Sequence, residues 1–178
     1  RYRPLSHFFR QNFSQVTNPP IDSLRENEVM SLKTRFGNLG NILDFENLTK
    51  DNIYVLDSPI LSNSQFEKFL EFFKKNCKIL DCTFNVEENL KSRLDQLCLE
   101  AEIAVREGYK DLILSDKKVN EKKIPVPMIM AIGAINSRLV KLGIRGFASI
   151  NVQTGEAFDT HSCAVLIGVG ATTINPYV

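Results

Sequence analysis

Leu112-Ile113-Leu114, an unbroken apolar run closed by Ser115-Asp116, constrains this chain more than any other stretch. A strand with one face in water alternates apolar and polar residues, whereas a continuous run marks a strand buried on both faces, as in parallel sheets. Helical periodicity lies on either side of it. Leu90, Leu94, Leu97, Cys98, Ala101, Ala104 and Val105 fall on one helical stripe, and Gly108 follows where a C-terminal cap belongs. Pro127 is placed to open a helix over 128–142 that stops at Gly143. Strands are also expected at 79–84, 147–152 and 172–175. Asn63 is the expected cap of a helix with Phe66, Phe69, Leu70 and Phe73 at helical spacing, and a short helix through Ala164, Val165 and Leu166 ends in Gly168 and Gly170. This alternation predicts an α/β domain of parallel strands joined by right-handed crossovers, either an open doubly wound sheet or an arc of a (β/α) barrel. About four strands are too few to close an eight-stranded barrel.

Composition narrows the partners. The chain has 178 residues, enough for one core and short for a second domain. Its net charge of +1 supplies no field that would gather nucleic acid or an anionic membrane. Lys117, Lys118, Lys122 and Lys123 form a basic patch, but Asp116 and Glu121 interrupt it, as in a solvated loop. The apolar run from Met128 to Ile135 is too short to span a bilayer, and no signal peptide is recognisable. Cys77, Cys82, Cys98 and Cys163 have no metal-site spacing, and His7 and His161 lie far from them in sequence, so no metal site is expected. Unpatterned cysteines point to a reducing compartment. The chain opens on Arg1-Tyr2-Arg3 without an initiator methionine and is expected to be an excised piece of something larger.

Residues 1–50 form one compositional region, helical and aromatic-rich, and residues 51–178 carry the β/α repeats. Phe8, Phe9 and Phe13 are expected on one side of a short helix, as core or docking contacts. Pro19 and Pro20 then fix two φ angles and remove two donors, and Asn18 before them is pushed to an extended conformation. The stretch reads as a rigid elbow presenting Gln15, Thr17 and Asn18, with Asp22 or Ser23 as the next helix cap. Such an elbow is either a site wall or a simple chain reversal.

Ser115 and Asp116 stand at the carboxyl end of a strand, where α/β folds place functional groups, although an aspartate there also serves as a cap. Arg145, between Gly143 and Gly146, reads as an ion pair or loop clamp at the opposite end. Glu156 and Asp159 flank a turn near His161, a set suited to acid–base chemistry, with capping the plainer role for Asp159. Gly168 and Gly170 lack the rest of a dinucleotide fingerprint, and helix termination accounts for them. No phosphate loop, nucleophile elbow or metalloprotease motif is present. No catalytic, cofactor-binding or metal-binding residue is therefore expected within the chain.

The string Gln15-Val16-Thr17-Asn18-Pro19-Pro20-Ile21-Asp22 resembles a signature of the central domain of glutamate synthase large subunits. Met30-Ser31-Leu32 with Gly37-Asn38-Leu39-Gly40, Ser58-Pro59-Ile60-Leu61-Ser62, Leu112-Ile113-Leu114-Ser115-Asp116 with Ile124-Pro125-Val126-Pro127, Gly143-Ile144-Arg145, Thr154-Gly155-Glu156-Ala157 and Asn175-Pro176-Tyr177 are similar to further blocks of that family, in the same order. The resemblance implies a partial, rudimentary (β/α) barrel with about four parallel strands and an N-terminal helical or loop extension. It implies a parent enzyme that makes glutamate from glutamine and 2-oxoglutarate, with a glutaminase domain and an FMN-binding synthase domain in the same polypeptide. FMN and an iron–sulfur cluster would be held elsewhere in that parent, and a small electron-donating subunit or ferredoxin would feed it, in cytoplasm or plastid. This domain would be a non-catalytic scaffold that helps enclose an ammonia tunnel, with Gln15, Thr17 and Asn18 lining it and Ser115, Asp116, Arg145, Glu156 and His161 at strand ends or interfaces. An autonomous small α/β enzyme using Asp116 and Glu156, or a protein-interaction module, is the alternative. The chain departs from the family at Asn136-Ser137-Arg138, where relatives carry histidines, at Ser162 after His161, and at Val169 in place of tyrosine.

Overall fold

The computed structural model describes residues 3–10, 22, 24–26, 30–36 and 53–178. Gln15, Thr17, Asn18, the proline pair and Phe13 lie outside the described residues. The chain forms two compact units, one of Gln11–Pro59 and one of Arg1–Arg10 with Ile60–Val178.

In the first unit Asp22 Oδ1 accepts from the amides of Leu24 and Arg25 at 3.1 and 2.9 Å. Strand β1 (Thr34–Phe36) pairs antiparallel with β2 (Tyr54–Leu56), setting Thr34 opposite Leu56 and Phe36 opposite Tyr54. Phe36 and Leu56 are the buried residues of this pair. The N-terminal region was expected to be helical. Among its described residues are the strand β1 and, in the second unit, one turn of 3-10 helix at Leu5–Phe8 that leaves Phe8 70% exposed.

The second unit is built as α1 (Asn63–Phe73), β3 (Cys77–Asp81), β4 (Thr83–Asn85), α2 (Leu90–Arg106), β5 (Asp111–Ser115), β6 (Lys123–Pro125), α3 (Met128–Lys141), β7 (Ser149–Thr154), α4 (Thr160–Gly168) and β8 (Thr173–Pro176). β3, β5, β7 and β8 form one parallel sheet in that order, as the alternation predicted. The order never reverses, so the sheet lacks the switch point of a doubly wound fold. It is also open, and among the described residues no sheet closes into a barrel.

One face carries the apolar core. Leu80, Leu112, Leu114, Ile150, Val152 and Ile174 from the strands meet Leu97, Ala101 and Ala104 of α2, Ile132, Ile135 and Leu139 of α3, and Leu166 of α4. Because side chains alternate along a strand, the second face carries Asp111, Ile113, Ser115, Asn151, Gln153, Thr173 and Asn175. Helix α1 attaches on that side, where Asn175 Nδ2 donates to Asn63 Oδ1 and to the Leu61 carbonyl at 2.9 and 3.0 Å. The phenylalanines at helical spacing, Phe66, Phe69 and Phe73, are buried outside the first core. Full burial of such a side chain contributes about 2–3 kcal/mol.

Three boundaries differ from expectation. The run 79–84 is two strands: Asp81 Oδ1 accepts from the amide and hydroxyl of Thr83, and the chain leaves the parallel sheet at Cys82 to pair β4 antiparallel with β6. Ser62, not Asn63, caps α1 through a reciprocal box with Gln65. The strand expected from Phe147 starts at Ser149, since Arg145–Phe147 is a 3-10 turn with Phe147 71% exposed. Gly108 and Gly143 take positive φ beyond α2 and α3, as helix ends of this kind require.

Candidate functional site at the carboxyl ends of the strands

Parallel strands in sequential order bring the residues that follow β5, β7 and β8 to one edge. Asp116 follows β5 and is 2% exposed. Thr154, the last residue of β7, donates its hydroxyl to Asp116 Oδ2 at 2.6 Å, and the Gly155 amide lies 3.3 Å from both carboxylate oxygens. The Tyr177 hydroxyl, just past β8, completes the set: burial and its hydrogen bond to Asp116 push its pKa up to about 12. Lys117 Nζ stands 5.8 Å from the centre of the Tyr177 ring.

Glu156 lies beside Asp116, and burial above all, with the neighbouring carboxylate, holds its pKa above the usual range. Its Oε2 accepts from the Met128 amide at 3.0 Å and so caps α3, which Pro127 cannot do with its side chain. Asp159 caps α4, accepting from the Ser162 amide and hydroxyl at 2.7 and 2.6 Å, and these bonds keep its carboxyl below the usual range. His161 is exposed on the first turn of α4, with Nε2 3.0 Å from the Ser6 carbonyl. Ser115 faces the other side of the sheet and begins a chain of side chains. Its hydroxyl donates to Gln153 Oε1 at 2.9 Å, and Gln153 Nε2 donates to Asn175 Oδ1 at 3.2 Å.

Of the residues singled out from sequence, Ser115, Asp116 and Glu156 thus share one edge, and Asp116 and Glu156 are direct neighbours. Arg145 is at the opposite end and acts as a loop clamp, donating to Asn136 Oδ1, the Ala148 carbonyl and the Gly170 carbonyl at 2.7, 2.5 and 3.0 Å. Thr154, Gln153 and Tyr177 were not foreseen as members. The position just past each buried strand is the signal that would have found Tyr177.

Chemically the edge is already occupied by the chain itself. Asp116 accepts from two hydroxyls and an amide, and Glu156 and Asp159 each hold a helix N-terminus. A phosphate-bearing cofactor needs free amides at such a terminus, and carboxylates stand on those of α3 and α4, so these residues do not fit the phosphate of FMN. The thiols do not fit an iron–sulfur cluster: among the described residues no three metal-ligating side chains gather. Burial raises all four thiols, Cys77 to about 12, so none is poised as a thiolate nucleophile.

The fold defines the class, an α/β domain built on one four-stranded parallel sheet. The particular family is shown by comparison: the model of the glutamate synthase central domain matches residues 1–178, and the chain belongs to that family. The glutamate synthase (NADPH) large chain of Azospirillum brasilense is 49% identical over 181 residues, covering 100% of this chain and 12% of that protein. The chloroplastic ferredoxin-dependent glutamate synthase of Oryza sativa subsp. japonica is 40% identical, over 98% of this chain and 11% of its own length. The NADPH large chain of Bacillus subtilis is 39% identical, over 100% and 12%. This chain therefore spans about 12% of the length of the relatives it matches.

Proposed function

We propose that this chain is the coupling scaffold of a glutamate synthase, joining a glutaminase domain to an FMN-binding synthase domain and helping to enclose the path of ammonia between them. The observation that carries this reading is that Asp116 and Glu156 are both committed to backbone amides of the domain itself, in a chain whose relatives are named glutamate synthases. A domain that makes its neighbours' chemistry possible needs rigidity more than reactive groups. The parent would form glutamate from glutamine and 2-oxoglutarate, an oxidoreductase reaction of glutamate biosynthesis. Ammonia loose in water is protonated and ceases to be a nucleophile, so a sheltered route serves that chemistry.

Gln15, Thr17 and Asn18 are the proposed wall of the route. Hydroxyl and amide side chains both donate and accept, as ammonia does, whereas charged groups would trap ammonium. FMN, an iron–sulfur cluster and the contact with an electron-donating subunit or ferredoxin are assigned to other domains, in a reducing compartment, cytoplasm or plastid. The unreversed sheet, with α2, α3 and α4 on its apolar face, is read as an arc of a (β/α) barrel. An autonomous enzyme would need Asp116 or Glu156 released from its amide, and nothing favours that.

Thr17→Val in the full-length enzyme tests the role. Glutamine-dependent synthesis should fall several-fold and free ammonia should escape to the medium, with glutaminase turnover and ammonia-dependent synthesis unchanged. Loss of stability alone, with no escape of ammonia, would remove the tunnel assignment.

A further inference from the structure

The short connection Gly155–Asp159, between β7 and α4, is where distant parts of the chain are fastened together. On one side, Asp116 binds Thr154 Oγ1 at 2.6 Å and the Gly155 amide at 3.3 Å, and Glu156 holds the Met128 amide at 3.0 Å. Tyr177 joins the same place: its amide donates to the Thr154 carbonyl at 3.4 Å and its hydroxyl meets Asp116. Gly155 makes the approach possible, since a Cβ there would stand 3.1 Å from Val178 Cγ2 and 3.4 Å from the Tyr177 hydroxyl oxygen.

On the other side, Asp159 holds Ser162, whose Oγ lies 3.4 Å from Ser6 Oγ, and His161 Nε2 lies 3.0 Å from the Ser6 carbonyl. The turn Leu5–Phe8 has no buried residue of its own, and these polar contacts are what seat it on α4.

We propose that Gly155–Asp159 is a mechanical joint that ties the segment at Leu5–Phe8 to the segment at Tyr177, and thereby keeps the domains on either side of this one in register. The inference rests on the coupling role proposed above. Thr154, Tyr177 and His161 act in it as positioning residues. A displacement at either attachment moves the same short connection, and with it the N-termini of α3 and α4.

The test uses the full-length enzyme carrying Tyr177→Phe, His161→Ala or Gly155→Ala, and reads glutamine hydrolysed per glutamate made from 2-oxoglutarate. That ratio should rise several-fold in each, with glutaminase turnover and ammonia-dependent synthesis near wild type. His161→Gln, which keeps an N–H for the Ser6 carbonyl, should restore it. Arg138→Ala breaks the pair with Glu102 far from the joint and should lower the melting temperature without touching the ratio. An unchanged ratio in Tyr177→Phe and His161→Ala overturns the joint, whatever happens to their stability. Thr17→Val, measured alongside, separates the two failures. Escape of ammonia there with normal ratios in the joint variants leaves the coupling role standing and removes only the joint. Normal values throughout remove both.

Discussion

Asp111 begins β5 with 3% of its surface exposed, and burial holds its pKa above the usual carboxylate range although Ser149 and Asn151 bond to it and pull the other way. The Ser149 hydroxyl donates to its Oδ1 at 2.6 Å. A folded-state pKa above the unfolded one means that the folded chain binds the proton more tightly. This group's contribution to stability is therefore full below the unfolded value, near 3.8, and is lost as the pH rises through the folded value. Asp111→Asn keeps an acceptor for Ser149 and removes the buried charge. Urea denaturation from pH 4 to 7 should show a flatter pH dependence for the variant and no loss at pH 7. A variant that parallels wild type across the range would mean that Asp111 is not the group responsible. Nothing in the sequence marks this residue, because an aspartate ahead of an apolar run reads as a loop residue until the register places Ser149 opposite it.

At the scale of elements, the break between β3 and β4 was the feature least legible in advance. Residues 79–84 look continuous because Cys82 and Phe84 are as apolar as Leu80, and the causes of the break lie elsewhere. The Ser115 carbonyl takes the Cys82 amide, the Cys82 carbonyl takes the Val126 amide, and Arg93 of α2 reaches the carbonyls of Asp81 and Thr83 at 2.6 and 3.2 Å. Its remaining nitrogen pairs with Glu100 at 2.8 Å. Arg93→Ala leaves two carbonyls without their donor and should cost about 2–4 kcal/mol. Hydrogen exchange should quicken at Thr83–Asn85 and at Lys123 and Ile124 while Asp111–Ser115 stays protected. Uniform loss of protection would show that the clamp serves the whole domain. The helices were easier to read. Periodicity and terminal glycines located α2 and α3 to within a residue or so at most ends, since those signals are local and the tertiary contacts agree with them.

Across the whole molecule, the parallel sheet followed from the alternation of apolar runs with helical periodicity, whereas its second face did not. Register sets Ser115 beside Gln153 and Gln153 beside Asn175, residues 38 and 22 positions apart (153 − 115 and 175 − 153), and their side chains bond in sequence as far as Asn63. No one-dimensional pattern encodes that row. The stretch 15–21, which carries most of the string on which the family resemblance rests, lies outside the described residues. Gln153→Leu removes the middle of the row and leaves Ser115 and Asn175 without that partner. It should destabilise the domain by about 1–3 kcal/mol, more than the exchange of one aliphatic residue for another at Val152 on the opposite face. Equal losses in a denaturation series would show that the row is merely tolerated.

The row also bears on how this domain can change over time. On the apolar face, Leu112, Ile150 and Val152 can drift one at a time among residues of similar volume, because packing there asks only for bulk and shape. Ser115, Gln153, Asn175 and Asn63 have no such freedom: each side chain bonds to the next in the row, and a single replacement removes a neighbour's partner. Four positions scattered over a hundred residues are thereby coupled in energy, so that a change at one is expected to be tolerated only with a matching change at its neighbour.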